Sequence, residues 1–121
     1  MKRNELEERL IDFSVLIIRL SNKVNNKKGA KHLSGQIIRS GTSVALNYAE
    51  AQSGESRKDF IHKLMIALKE LRETSSALKI VYKLKMSELN TVQENLLKEN
   101  NELISIFMQS IRTAKKNMTN K

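Results

Sequence analysis

Apolar residues along this chain recur at alternating steps of three and four. In the first segment Leu6, Leu10, Phe13, Ile17, Leu20 and Val24 keep that spacing, the 3.5-residue repeat of a helix facing a bundle seam. Asn4 is placed as an N-cap, with Glu5, Glu7 and Glu8 following where the helix dipole favours acids. The repeat stops in "NKVNNKKGAKH", where Asn25, Asn26 and Gly29 supply turn chemistry and Lys27 and Lys28 stay solvated. A second segment, from about Lys31 to Gln52, puts Leu33, Ile37, Gly41, Val44 and Tyr48 on one stripe. After "SGES", Ser56 and Asp59 form an S-x-x-D helix start. The third segment then places Phe60, Leu64, Ala67, Leu71, Leu78 and Tyr82 on one face. The pattern resets around Ser87, and Leu89, Val92, Leu96, Leu103, Phe107 and Ile111 mark a fourth helix, interrupted by polar Asn100. Short connections favour antiparallel neighbours. The expected fold is therefore all-α, an antiparallel up-down-up-down four-helix bundle in a single domain over 1–121.

Composition supports that reading. The 121 residues include no proline and four glycines, so little breaks a helix. The absence of cysteine excludes disulfides and thiolate metal sites. The charged start "MKRNELEERLIDF" lacks a signal-peptide core, and "FSVLII" and "LISIFM" are too short to cross a bilayer; the expectation is a soluble cytoplasmic protein with no membrane role. Some apolar residues lie to the side of the seams: Ile11, Val15 and Ile18 in the first helix, Ile61, Met65 and Ile66 in the third. Apolar surface beyond a bundle's own core meets a partner subunit, so a homo-oligomer is expected.

One stretch stands apart, "RSGTSVALNYAEAQ". On a helix, Ser40, Ser43, Asn47 and Glu50 share one face, and Gly41, Ala45 and Ala49 share another. A mid-helix glycine costs about 1 kcal/mol relative to alanine, and close approach of a neighbouring helix is the natural compensation. The apolar period runs unbroken through Gly41, unlike in a ligand loop. Folding the second and third helices about Gly54–Glu55 brings level those positions whose numbers sum to about 109. Arg39 then faces Glu70, and Glu50 faces Lys58 and Asp59. An Arg39–Glu70 pair would fix the hairpin's register; the competing reading is a phosphate contact by Arg39.

These residues carry a resemblance. "QIIRSGTSVALNYAEAQ", followed by "ESRKDFIHKLMIALKELRET", resembles the bacterial four-helix bundle protein family, also called the ribosomal-RNA intervening-sequence proteins. The family pattern falls on Gln36, Arg39, Ser40, Ser43, Asn47, Glu50, Ala51, Lys58, Asp59, Phe60, Ala67 and Glu70. The resemblance implies an up-down bundle assembled as a ring-like homopentamer, with no established enzymatic activity. Some members are encoded within insertions in ribosomal-RNA genes, and a more distant relative assists a reverse transcriptase. Nucleic-acid binding is the function so implied.

Catalytic chemistry finds little support. A di-iron bundle site needs two Glu-x-x-His pairs, whereas this chain offers Asp59-x-x-His62 once, and His32 has no such motif. There is no phosphate-binding glycine loop and no serine beside an evident histidine base. No enzyme, cofactor or metal is expected. The net charge of +9 attracts polyanions, nucleic acid first, although it also describes a lysine-rich solubilising surface. Residues 55–86 hold eight basic and four acidic side chains, and apart from Phe60 and Tyr82 on the apolar face no aromatic ring interleaves with the lysines, which favours sequence-independent phosphate contact. Candidate contacts with RNA or DNA are Lys27, Lys28 and Lys31 at the first turn and Arg57 and Lys58 at the other end of the second helix, roughly 35–40 Å apart by the helical rise. A homo-oligomeric scaffold or adaptor for a protein partner is the alternative.

Overall fold

Steps of three and four become four helices because nothing between the turns interrupts them. In a computed structural model that describes residues 1–25, 29–54, 56–84 and 90–119, α1 is Arg3–Asn25, α2 Lys31–Gln52, α3 Arg57–Lys83 and α4 Asn90–Thr119. Each helix packs on its chain neighbours, and α1 returns to α4 along a shorter contact, which leaves α1 diagonal to α3. This is the up-down arrangement. Expected residues Asn26, Lys27, Lys28, Glu55, Ser87 and Leu89 lie outside the described residues.

The helix ends follow local chemistry. The Ser56 Oγ accepts a hydrogen bond from the Asp59 N–H at 3.1 Å, which caps α3 and places Asp59 in its first turn. Gly29, at φ 83°, makes the left-handed step that glycine takes without a steric penalty; α2 starts two residues later behind Ala30, with no side-chain cap. Asn4 does not cap α1. The helix already begins at Arg3, so Asn4 lies within its first turn.

All six expected seam residues of α1 are buried. So are Ile37, Gly41, Val44 and Tyr48 of α2, while Leu33 is partly buried. Across the core, Tyr48 and Phe107 meet edge to face, ring centroids 5.9 Å apart. Burial raises the Tyr48 phenol above its ordinary pKa. Two assignments in α3 change. Tyr82 is exposed, because Val81 takes the last core position. Ile61, expected beside the seam, is buried in the core cluster with Leu64 and Leu68, and Ile66 is partly buried.

Asn100 does not break the α4 face but sits inside it. Its Nδ2 donates to the Leu71 carbonyl at 2.9 Å, while its Oδ1 and both polar atoms of buried Gln93 have no hydrogen-bond partner among the described residues. These two amides are seven residues apart on the core side of α4.

At the surface, Ile11, Val15, Leu16 and Ile18 of α1 stay exposed, as do Leu46 of α2 and Met65 of α3. No helix among the described residues is long and apolar enough to cross a membrane.

Candidate nucleic-acid interface

The small-residue stretch of α2 serves two neighbours at once. Toward α1, Gly41 lies against buried Ile17: a Cβ built on Gly41 would fall 2.7 Å from Ile17 Cγ2 and 2.9 Å from Cγ1. A β-branched side chain with no exposure cannot yield that space cheaply. The small-residue face does not continue as a buried one, since Ala45 is only partly buried and Ala49 is exposed. Toward α3, buried Thr74 Oγ1 lies 2.8 Å from both Ser40 Oγ and the Glu70 carbonyl. Ser43 Oγ donates to the Ser40 carbonyl at 3.0 Å and Asn47 Nδ2 to the Ser43 carbonyl at 2.9 Å, so these polar groups are bonded within the helix.

Arg39 crosses from α2 to α3. Its Nη1 lies 3.1 Å from Glu70 Oε2 and its Nη2 bonds Glu73. The hydrogen bond to Glu73 and the charge of Glu70 raise the Arg39 pKa. Glu50 is bound to Lys63 at 2.5 Å rather than facing Lys58 and Asp59, a shift of about one turn in the hairpin register. On the opposite side of the bundle, Arg9 of α1 bridges Glu99 and Glu102 of α4, each at 2.5 Å.

These pairs shape the charge of α3. The helix carries seven basic residues (Arg57, Lys58, Lys63, Lys69, Arg72, Lys79, Lys83) and three acids (Asp59, Glu70, Glu73), a formal +4. Arg39 engages two of those acids from the α2 side and Glu50 engages one cation. Lys58, Lys69, Lys79 and Lys83 remain exposed, with no salt bridge to a described residue. Of the expected contacts, Arg57 and Lys58 are exposed at the start of this stripe, and Lys31 is exposed at the start of α2, which is the other end of the bundle. The structure thus does not bring the candidates together; it extends one of the two groups along α3. Sequence could have shown this, because Lys58, Arg72 and Lys79 fall on one seven-residue repeat and Lys69 and Lys83 on another.

Arg72 leans the other way. Its Nη2 approaches Met108 Sδ of α4 at 3.9 Å, above a shallow groove between α3 and α4 lined by Met65, Leu68, Arg72, Met108, Ile111, Arg112 and Lys115. Both histidines are exposed, and among the described residues no group of His, Asp and Glu could hold a metal ion.

Residues 2–109 match the family described as 23S rRNA-intervening sequence protein. Among solved structures, the chain is similar to a protein of unknown function from the S23 ribosomal protein family of Bacteroides thetaiotaomicron, at 33% identity and a TM-score of 0.82, covering 93% of this chain and 99% of that one. No curated protein matches.

Proposed function

We propose that this chain, which belongs to the 23S rRNA-intervening sequence protein family, is a non-enzymatic, self-associating helical bundle that holds RNA or DNA by its phosphates along α3. The observation that carries this reading is the partition of charge on that helix. Glu70 and Glu73 are drawn onto Arg39, while Lys58, Lys69, Lys79 and Lys83 face solvent along one helix. Tyr82, the exposed ring beside Lys83, lines a groove with Leu97 and Lys98 of α4, and cations outside that groove favour the backbone over the bases, so little sequence preference is expected. Self-association repeats the row, and multivalent contact raises avidity without new chemistry.

The apolar stripe of α1 supports the self-association half, and the family resemblance sets the expected number of copies at five. The same stripe favours a second reading, a homo-oligomeric scaffold for a protein partner. Binding measured by fluorescence anisotropy across a salt series, with RNA, duplex DNA and a sulfated polyanion, separates the two. Lys69→Gln with Lys79→Gln and Lys83→Gln should weaken binding and flatten the log–log salt slope by about 0.9 for each duplex phosphate that is no longer neutralised, whereas Lys31→Gln should do less. Absence of binding at about 50 mM salt, with the oligomer intact, would leave the scaffold reading in place.

A further inference from the structure

Among the apolar surfaces that the folding core leaves uncovered, two differ in charge. On α1, Ile11, Val15 and Ile18 are 44%, 41% and 43% exposed; steps of four and three set them in one stripe. Around Ile11 stand exposed Glu7, Glu8 and Asp12. The groove between α3 and α4 has the complementary character: Met65 and Met108 are exposed over buried Leu68 and Ile111, and Arg72, Arg112 and Lys115 form its rim.

We propose that α1 of one copy lies in the α3–α4 groove of the next, with Ile11, Val15 and Ile18 as anchors and Glu8 and Asp12 directed at the arginine rim. The proposal rests on the self-association reading and names the surfaces that perform it. Anchors at i, i+4 and i+7 on an amphipathic helix are the usual means of filling such a groove, and unbranched methionines adapt to β-branched anchors. Charge disfavours one rival: two α1 stripes laid face to face in parallel would bring Glu7, Glu8 and Asp12 of each copy together, and like charges across an interface oppose that docking. Because the two surfaces are different, the contact is heterologous: every copy offers one helix and one groove, and the assembly grows until it closes. Lys58, Lys79 and Lys83 are not part of the groove lining, so the assembly leaves them to solvent, while Lys69 borders the docked helix beside Met65, Leu68 and Arg72.

The test exploits that asymmetry. Ile11→Lys with Val15→Lys removes the donor helix, and Met65→Glu with Met108→Glu removes the groove. All four positions are exposed, and circular dichroism verifies that each variant is helical and melts cooperatively. Each variant alone should run as a monomer by light scattering. Mixed, the groove variant's intact α1 should enter the helix variant's intact groove and stop there, giving a one-to-one dimer of about 28 kDa, twice the 13.9 kDa chain. Glu8→Lys with Asp12→Lys, which leaves the apolar anchors in place, should behave as the helix variant does. A groove variant that assembles like the parent would overturn the proposal, as would two monomeric variants that do not combine. A parent chain that is itself monomeric would instead remove the self-association reading beneath it.

Discussion

The two flanks of α2 show two ways of holding helices together. Toward α1 the contact is one of shape. Gly41 admits Ile17 so closely that even a methyl group would overlap it, and the hydrogen bond from Ser34 Oγ to the Ser21 carbonyl, at 2.8 Å, lies nearer the turn. Toward α3 the contact is polar: Ser40 meets Thr74, Arg39 spans Glu70 and Glu73, and Glu50 holds Lys63. Steric contact sets how far apart two helices lie, because interiors tolerate neither overlap nor void. Polar pairs say little about distance and much about register, because a slip of one turn leaves each partner facing the wrong group. One short stretch of sequence thus fixes spacing on one side and alignment on the other.

The sharpest way to break the first flank is Gly41→Leu. Overpacking typically costs about 1–3 kcal/mol, against a gain in helix propensity of about 1 kcal/mol; with the Cβ alone already in conflict, a clear loss in thermal and urea melts is expected. The exposed control Lys98→Leu should leave the melt near the parent's. Pairing Gly41→Ala with Ile17→Ala, which removes the three side-chain atoms the new Cβ would meet, should lose less than the two single changes summed, and strict additivity would mean the two side chains do not share that space.

On the second flank, Ser40→Ala should cost about 0.5–1.5 kcal/mol, the net value of a buried hydrogen bond. Thr74 keeps the Glu70 carbonyl as a partner, which holds the loss to that range. A loss matching that of Gly41→Leu would show that the polar flank also sets distance.

Arg39 should matter less still. It is half exposed, and exposed pairs are screened by water and salt. Double-mutant cycles should show coupling of Arg39 to Glu70 and to Glu73 separately, each shrinking in high salt. Coupling to neither would free Arg39 for the phosphate contact considered from sequence.

The smallest effect belongs to Tyr48, between the flanks. Burial raises its pKa in the fold, so the neutral phenol is the favoured native form. Its contribution is complete below the unfolded value of about 10 and is lost as pH rises through the higher folded value. Tyr48→Phe should flatten the alkaline fall in stability; an unchanged profile above pH ~10 would show that the phenol titrates as if unfolded.

Much of the fold was legible because periodicity is a backbone property. The bounds of α2 and the six buried residues of α1 follow from spacing alone. Register was harder. Symmetry about the turn at Gly54 makes level positions sum to about 109, yet Ser40 meets Thr74 and Glu50 meets Lys63, sums of 114 and 113. Side chains lean toward the N-terminus of their own helix. In an antiparallel pair α2 therefore leans away from the turn and α3 toward it, which displaces contacts by several residues in the observed direction. Arg39 still reaches Glu70 because its arm is long. In the candidate interface, the row from Lys58 to Lys83 was readable as seven-residue repeats of cations, but its freedom from Glu70 and Glu73 depended on knowing that Arg39 binds both. Asn100 misled in the opposite way: polarity suggested an interruption, and only packing shows that an amide can be enclosed when a helical carbonyl accepts from it.

Gln93 and Asn100 also bear on how much room this sequence has to vary. Gln93 is 1% exposed, and amide atoms buried without a hydrogen-bond partner among the described residues carry a desolvation penalty of about 1–3 kcal/mol per group. A leucine there would remove the penalty and keep the volume. A Gln93→Leu melt above the parent's would place the chain below the stability its own backbone allows, in line with a threshold rather than an optimum as what selection enforces, and would make the core face of α4 the place where substitutions elsewhere in the bundle could be compensated.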